Sequence, residues 1–309
     1  MQKYYTRACN FYFGKNSLQK VKKNLSLPLG GNKSISFDTI EIITRTSKRK
    51  LNIKQLNHLP KNIKKKVLSD LKNICRIKKI RKLNLKNIPL LMGILNLTPD
   101  SFSDGGKFNK GKKSFKHISK LIKSGAEIID VGGESTRPGS KTIDPAIEWK
   151  RVKKVIKIFK KKYKSVCLSI DTRKSDIMIK SINCGADLIN DVSGFEYDPS
   201  SSKKVKKYKI SKVLHHMRGT PDIMQNNPKY KNVLLDIYDF FEQSLKDKFS
   251  DKKIIVDPGI GFGKSLKHNL TLISKISLFH SLGLPILVGT SRKRFIGQIS
   301  GKNDSKDRI

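Results

Sequence analysis

The chain is short of acid. Its 309 residues carry 25 Asp+Glu against 66 Lys+Arg, a formal net charge of +41. Cysteine is equally sparse. Cys9, Cys75, Cys167 and Cys184 lie far apart, with no CxxC pair and no Cys/His cluster. That spacing argues against a zinc site and suits a reducing, cytoplasmic compartment. No apolar run approaches the ~18 residues of a membrane-spanning helix. The N-terminus, MQKYYTRACNFYFG, lacks the basic-then-apolar order of a secretion signal. Aromatic residues make up 7% and hydrophobic residues 37%. That is lean, yet above the composition of a disordered chain, and the length is enough to bury a core.

The positive charge is mostly lysine, 54 Lys to 12 Arg. A nucleic-acid surface favours clustered arginine forks. Lysine spread beside Ile and Asn reads instead as compositional bias on a solvated surface. The spread is uneven, because residues 1–90 hold 23 basic and 3 acidic residues. A strand over Ser36–Thr44 and a helix over Asn62–Ile77 are expected there, the helix from Ile63, Val67, Leu68, Leu71 and Ile74 at helical spacing.

The texture changes at Pro89. Apolar runs recur at Leu90–Leu95, Ile128–Val131, Val166–Ile170, Leu188–Asn190, Lys212–His215, Ile254–Val256 and Pro285–Val288. Amphipathic stretches such as Ser114–Lys123 and Ala146–Lys160 lie between them. Repeated β-then-α units imply a parallel sheet, and runs that are apolar throughout fit strands covered on both faces. Almost every run ends in chemically loaded residues. An open sheet gathers its chemistry at one switch point, whereas a (β/α)8 barrel draws it from many strand ends. The pattern therefore favours an α/β fold of the TIM-barrel type with seven strands. The sequence stops at Ile309 without an eighth βα unit, so the barrel, residues 89–309, is expected to be incomplete. Residues 1–88 form a small basic α+β extension of unknown role.

Asp171, Asn190 and Asp257 end three of the runs. Each could cap a helix. Together, carboxylates and an amide at a barrel mouth suit a flat heterocycle with several N–H groups. The stretch Gly289–Arg294, GTSRKR, suits a phosphate or pyrophosphate, or is an ordinary basic turn. DPGIGFGKS fails as a P-loop because Pro258 stands where the first glycine is required. NLTPDSFSDGG, from Asn96, reads as a lid carrying oxygen ligands for Mg²⁺, and GGESTRPG, from Gly132, as a second loop. His215 and His216 are adjacent, so only one can face the mouth, and packing is the expected role.

Taken in order from Leu91 to Gly297, MGILNLTPDSFSDGG, GAEIIDVGGESTRPGS, SIDTRKS, GADLINDVSG, HHMRGTPDIMQ, DPGIGFGKSLKHN and LVGTSRKRFIG closely resemble dihydropteroate synthase. The resemblance implies a transferase of folate biosynthesis. Such an enzyme joins 4-aminobenzoate to (7,8-dihydropterin-6-yl)methyl diphosphate, giving 7,8-dihydropteroate and diphosphate. It implies pterin recognition by Asp171, Asn190, Asp257 and Lys293, with Met217 and Phe262 packing near the pterin. It implies a Mg²⁺ cofactor held by Asn96. It places Thr136, Arg137, Pro138, Phe102, Ser291 and Arg292 around the 4-aminobenzoate, the diphosphate and the sulfonamide pocket. The partners implied are these small-molecule substrates and, as an option, a second copy of the chain. Neither a membrane nor a nucleic acid is expected. One departure is the absence of the family's strand-8 Arg-x-His segment, which puts stability and turnover in doubt. The other is the long extension, which weakly resembles that of longer bacterial versions (LPLGG, then SFDTIEII). The competing readings are a pterin-binding methyltransferase barrel, which leaves the two loops and the SRK cluster unexplained, and a nucleic-acid-binding protein acting through residues 1–88.

Overall fold

The computed structural model describes residues 2–86, 88–98, 110–135, 140–219, 228–249, 253–302, 304 and 307–308. They form two compact units, and the division does not follow a single cut in the chain. One unit gathers Met1–Lys78 with Lys229–Gln243 and Leu266–Leu287; the other holds Lys79–Pro228, Ser244–Ser265 and Val288–Ile309. No helix among the described residues is long and apolar enough to cross a membrane.

The first unit is built on an antiparallel sheet. Its longest strand, β3 (Asn32–Ile43), pairs along one edge with β1 (Tyr5–Phe13). Its other edge is shared by β2 (Leu27–Leu29) near the start and β4 (Lys48–Asn52) near the end. Helix α1 (Gly14–Lys22) follows β1, and α2 (Lys61–Cys75) follows a 3-10 turn at Ile53–His58. Val67, Leu71 and Ile74 of α2 share one face, as 3.6 residues per turn requires, and pack with Ala8, Phe37, Ile40, Ile42 and Leu51 into a core. The same unit includes part of helix α7 (Val233–Asp247) and the 3-10 segment Ile276–Leu282. Tyr5 meets Tyr238 edge-on at 5.2 Å, and Ser277 Oγ donates to the carbonyl of Ala8. Asp239 accepts from Lys3 Nζ, Tyr5 Oη and Arg45 Nη2. The expected strand and helix are present as β3 and α2. Strands β1, β2 and β4 and helix α1 carry no clear pattern in the sequence: β2 has only three residues, and basic residues fill the first three positions of β4.

The second unit carries a six-stranded parallel sheet in strictly sequential order. The strands are β5 (Leu91–Asn96), β6 (Ala126–Gly132), β7 (Cys167–Asp171), β8 (Leu188–Asp191), β9 (Ser211–His215) and β10 (Ile254–Asp257). Helices α3 (Lys110–Lys123), α4 (Pro145–Lys162), α5 (Ser175–Asn183) and α6 (Ser201–Lys206) follow the first four in turn. Sequential parallel order with helical crossovers is the winding of an α/β barrel. Helix α4 starts where the sequence dictates: Asp144 caps the Ala146 N–H and Pro145 takes the first position. The expected seventh strand, Pro285–Val288, does not form, and only Ile286 makes an isolated bridge. Helices α8 (Leu266–Ser274) and α9 (Arg294–Ser300) complete the described elements.

Phe37 is fully buried and Phe13 is 65% exposed. Phe37→Ala is expected to remove about 3–5 kcal/mol of stability. Phe13→Ala is expected to change stability by under about 0.5 kcal/mol. Denaturant unfolding followed by circular dichroism compares the two.

Candidate functional site

One row of the parallel sheet collects three of the sequence-predicted residues. The register sets Asn96 level with Gly132, Gly132 with Asp171, and Asp171 with Asn190. Residues level on neighbouring strands share a face. Asn190 is level with Val213, and Asp257 with His215 two residues further along β9, so Asp257 stands on that face too. Gly132 leaves a gap in the row. A Cβ there would lie 3.4 Å from Asn96 Oδ1 and 3.5 Å from Asp171 Oδ2.

The row is rich in unmet acceptors. Asn190 Nδ2 donates to Asp130 Oδ2 at 2.9 Å. Asn190 Oδ1, Asp130 Oδ1 and Asp171 Oδ1 are buried, and none has a hydrogen-bond partner among the described residues. Burial, and then the nearby carboxylates of Asp130, Asp191 and Glu148, push Asp171 well above the usual carboxylate range. Burial likewise raises Asp130. Asp171 does not cap the following helix, since the cap position of α5 is Lys174.

Asp257 opens a glycine-rich turn. Its Oδ1 accepts from the Gly259 N–H at 2.7 Å, and the Phe262 N–H donates to the Gly259 carbonyl. Burial pushes Asp257 up to about 6, against the opposing pull of that N–H and of Lys293 and Lys264. The Phe262 ring meets His215 edge-on at 4.7 Å. Lys293 Nζ lies 4.0 Å from the centre of the Phe262 ring, within cation–π reach. Gly261, at φ +82°, makes room for this, because a Cβ there would lie 3.0 Å from Lys293 Cδ. Burial lowers Lys293, with Asp257 opposing. His215 and His216 are both buried, and burial first, with Lys264 beside them, holds both imidazoles neutral. Met217 is half-buried, while Ser291 and Arg292 are exposed. The Arg292 N–H donates to the Arg308 carbonyl. Phe102, Thr136, Arg137 and Pro138 lie outside the described residues.

Sequence reasoning missed a buried ionic cluster beside the row. Glu134 takes Arg173 Nη2 and Lys174 Nζ, both at 2.8 Å, and the Ile143 N–H at 2.9 Å. Lys174 also pairs with Glu148 at 2.6 Å, and Glu148 accepts from Thr172 Oγ1. Burial alone would raise Glu134, but Lys174, the Ile143 N–H and Arg173 hold it below its ordinary value. Gly133 fits against α4 because a Cβ there would crowd Val152 and Glu148 at 2.9–3.0 Å. Glu134, Arg173 and Lys174 stand inside the quoted motifs GGESTRPGS and DTRKS, and Glu148 in the amphipathic stretch Ala146–Lys160, yet nothing in their spacing announces that they pair. Asp130 left a signal of its own, as an acid inside an apolar run.

The chain matches the model of the pterin binding enzyme family over residues 92–309. It is 43% identical to a dihydropteroate synthase of Clostridium beijerinckii over 70% of this chain and 79% of that protein. A solved Yersinia pestis dihydropteroate synthase, in complex with a sulfonamide drug, superposes with a TM-score of 0.69 at 38% identity. The match covers 74% of this chain and 82% of that one. The Xanthomonas albilineans dihydropteroate synthase with 4-aminobenzoic acid gives a TM-score of 0.67 at 35% identity, covering 72% and 80%.

Two outcomes are expected from the site's electrostatics. Glu134→Gln leaves Arg173 and Lys174 buried with too little negative charge, and a loss of about 3–5 kcal/mol is expected in denaturant unfolding. Asp257 is expected to work against folding at neutral pH. Its folded value of about 6 exceeds the ordinary carboxylate value of 3.8, so the penalty is absent below pH ~4, grows from there to ~6 and is complete above it. Asp257→Asn should raise the melting temperature at pH 8, by no more than about 3 kcal/mol of stability, and leave it nearly unchanged at pH 3.5. Scanning calorimetry at the two pH values reads the difference. From the family match and these relatives, the chain belongs to the dihydropteroate synthases of the pterin-binding enzyme family.

Proposed function

We propose that this site condenses 4-aminobenzoate with (7,8-dihydropterin-6-yl)methyl diphosphate. The observation that carries the assignment to these residues is the set of buried acceptors without partners: Asn190 Oδ1, Asp130 Oδ1 and Asp171 Oδ1. Buried acceptors of this kind are costly unless a donor meets them. A pterin presents several N–H groups on one edge and can supply donors to this row and to Asp257. Its flat face lies against Phe262 and Met217, with Lys293 at its side. The 4-aminobenzoate bound in the Xanthomonas relative and the sulfonamide bound in the Yersinia relative support a second substrate here. Phe102, Thr136, Arg137, Pro138 and Ser291 would border it, and Arg292 would face the diphosphate.

The reaction then needs little beyond positioning. The amine lone pair of 4-aminobenzoate attacks the pterin methylene carbon. The carbon–oxygen bond breaks, its electron pair leaves on the diphosphate, and the nitrogen releases a proton to water. Lys293, if charged, and Arg292 offset the growing negative charge on the leaving group.

Among the described residues no cluster of three His, Cys, Asp or Glu side chains could hold a metal. Mg²⁺, however, is commonly held by one or two protein oxygens plus water and substrate phosphates. Asn96 Oδ1 and Asp171 Oδ2, facing the gap at Gly132, fit that pattern, with Asn96 as the ligand. When bound there with the diphosphate, Mg²⁺ would neutralise leaving-group charge. The four free cysteines fit a cytoplasmic setting. Residues 1–88 are read as an appended basic segment and residues 89–309 as the pterin-binding barrel.

Diphosphate release is expected only when both substrates and Mg²⁺ are present, and a sulfonamide should compete with 4-aminobenzoate. Asp171→Asn should lower kcat/KM by about 100-fold or more, because a site built to pair substrate N–H groups loses most when that pairing is spoiled. A coupled diphosphate assay measures both. No release, or methyl transfer in its place, would overturn the assignment.

A further inference from the structure

Lys264 is buried, 4% exposed, and nothing in the proposed reaction uses it. Its Nζ lies 2.9 Å from the carbonyl oxygen of Phe262, 3.3 Å from that of His216 and 3.1 Å from His216 Nδ1. These atoms belong to two segments. His216 follows β9, and Phe262 stands in the turn after β10. The His216 N–H also donates to the Asp257 carbonyl. Two glycines let the segments lie against each other: a Cβ on Gly259 would overlap the His216 carbonyl, and one on Gly263 would lie 2.7 Å from the Arg218 carbonyl.

We propose that Lys264 is a positioning residue for pterin binding: it ties the segment after β9 to the turn after β10 and thereby fixes Phe262. Two carbonyl oxygens can only accept, so Lys264 must donate to both. The imidazole completes the set in either protonation state of the lysine, as acceptor to an ammonium or as donor to an amine. The brace therefore persists although burial lowers Lys264 to about 7. Phe262 carries the consequence. Its carbonyl is held by Lys264, its ring abuts His215, and Lys293 lies over that ring. A shift of the turn would move Phe262 and Lys293 together. A neutral side chain could fill the same volume without the desolvation penalty of a buried amine. The amine is thus explained by what it aligns rather than by the stability it adds.

The inference rests on the pterin reading of the site, and the experiment separates the two. The full-length chain is titrated with 6-hydroxymethylpterin, and binding is read from the pterin fluorescence. Lys264→Met, close in shape but without donors, is expected to weaken binding at least tenfold. Lys264→Gln, which keeps two N–H donors, should recover most of that loss. Circular dichroism checks that each variant is folded. If wild type binds and folded Lys264→Met binds equally well, the role of Lys264 is overturned. If Lys264→Met does not fold, Lys264→Gln decides: near wild-type affinity supports the brace, and a tenfold loss in the folded protein overturns it. Failure of wild type to bind any pterin would overturn the pterin reading and this role with it.

Discussion

The parallel hydrogen-bonded ladder is the constraint on which the site depends. Side chains alternate along each strand, so one register decides which groups share a face. The register from β5 to β8 sets Asn96, Gly132, Asp171 and Asn190 level with one another. A slip of one residue in any pair would turn that strand's polar end away from the others. The apolar runs of β6 to β10 resist such a slip because their residues are buried on both faces almost throughout. The core and the site are therefore specified by the same ladder, one by its middle and the other by its ends.

Two buried polar groupings lie side by side and differ in one respect. Around Glu134, Glu148, Arg173 and Lys174 the charges are matched, with cation set against anion. Such a cluster is self-contained and holds the start of one loop against the start of the next. Around Asp130, Asp171 and Asn190 acceptors outnumber donors, and three oxygens are left over. The first grouping is a structural fastening. The second has open valences among the described residues, and the proposed pterin would bring the donors they call for.

The basic first 90 residues fold with acid supplied from far along the chain. Lys3 and Arg45 pair with Asp236, Asp239 and Glu242 of α7, while Arg7 pairs locally with Glu41. A segment with 3 acidic residues cannot neutralise itself and takes its counter-charges from a helix distant in sequence. Linear charge counting does not show this, because ion pairing follows spatial distance.

The sequence by itself determined the α/β alternation, the family, and the placement of Asp171, Asn190 and Asp257 at strand ends. Each depends on local periodicity or on a contiguous motif, and both can be read along a line. Tertiary structure alone decided the rest. It showed that Asp171 is no helix cap, that Pro285–Val288 forms no strand, and that Asp130 bonds to Asn190 of the row. It also showed that Glu134 answers Arg173 and Lys174, and that Lys264 binds two separate segments. These facts depend on which residues, distant in sequence, come within about 3 Å of one another. Composition and periodicity carry no record of that distance; the folded chain sets it.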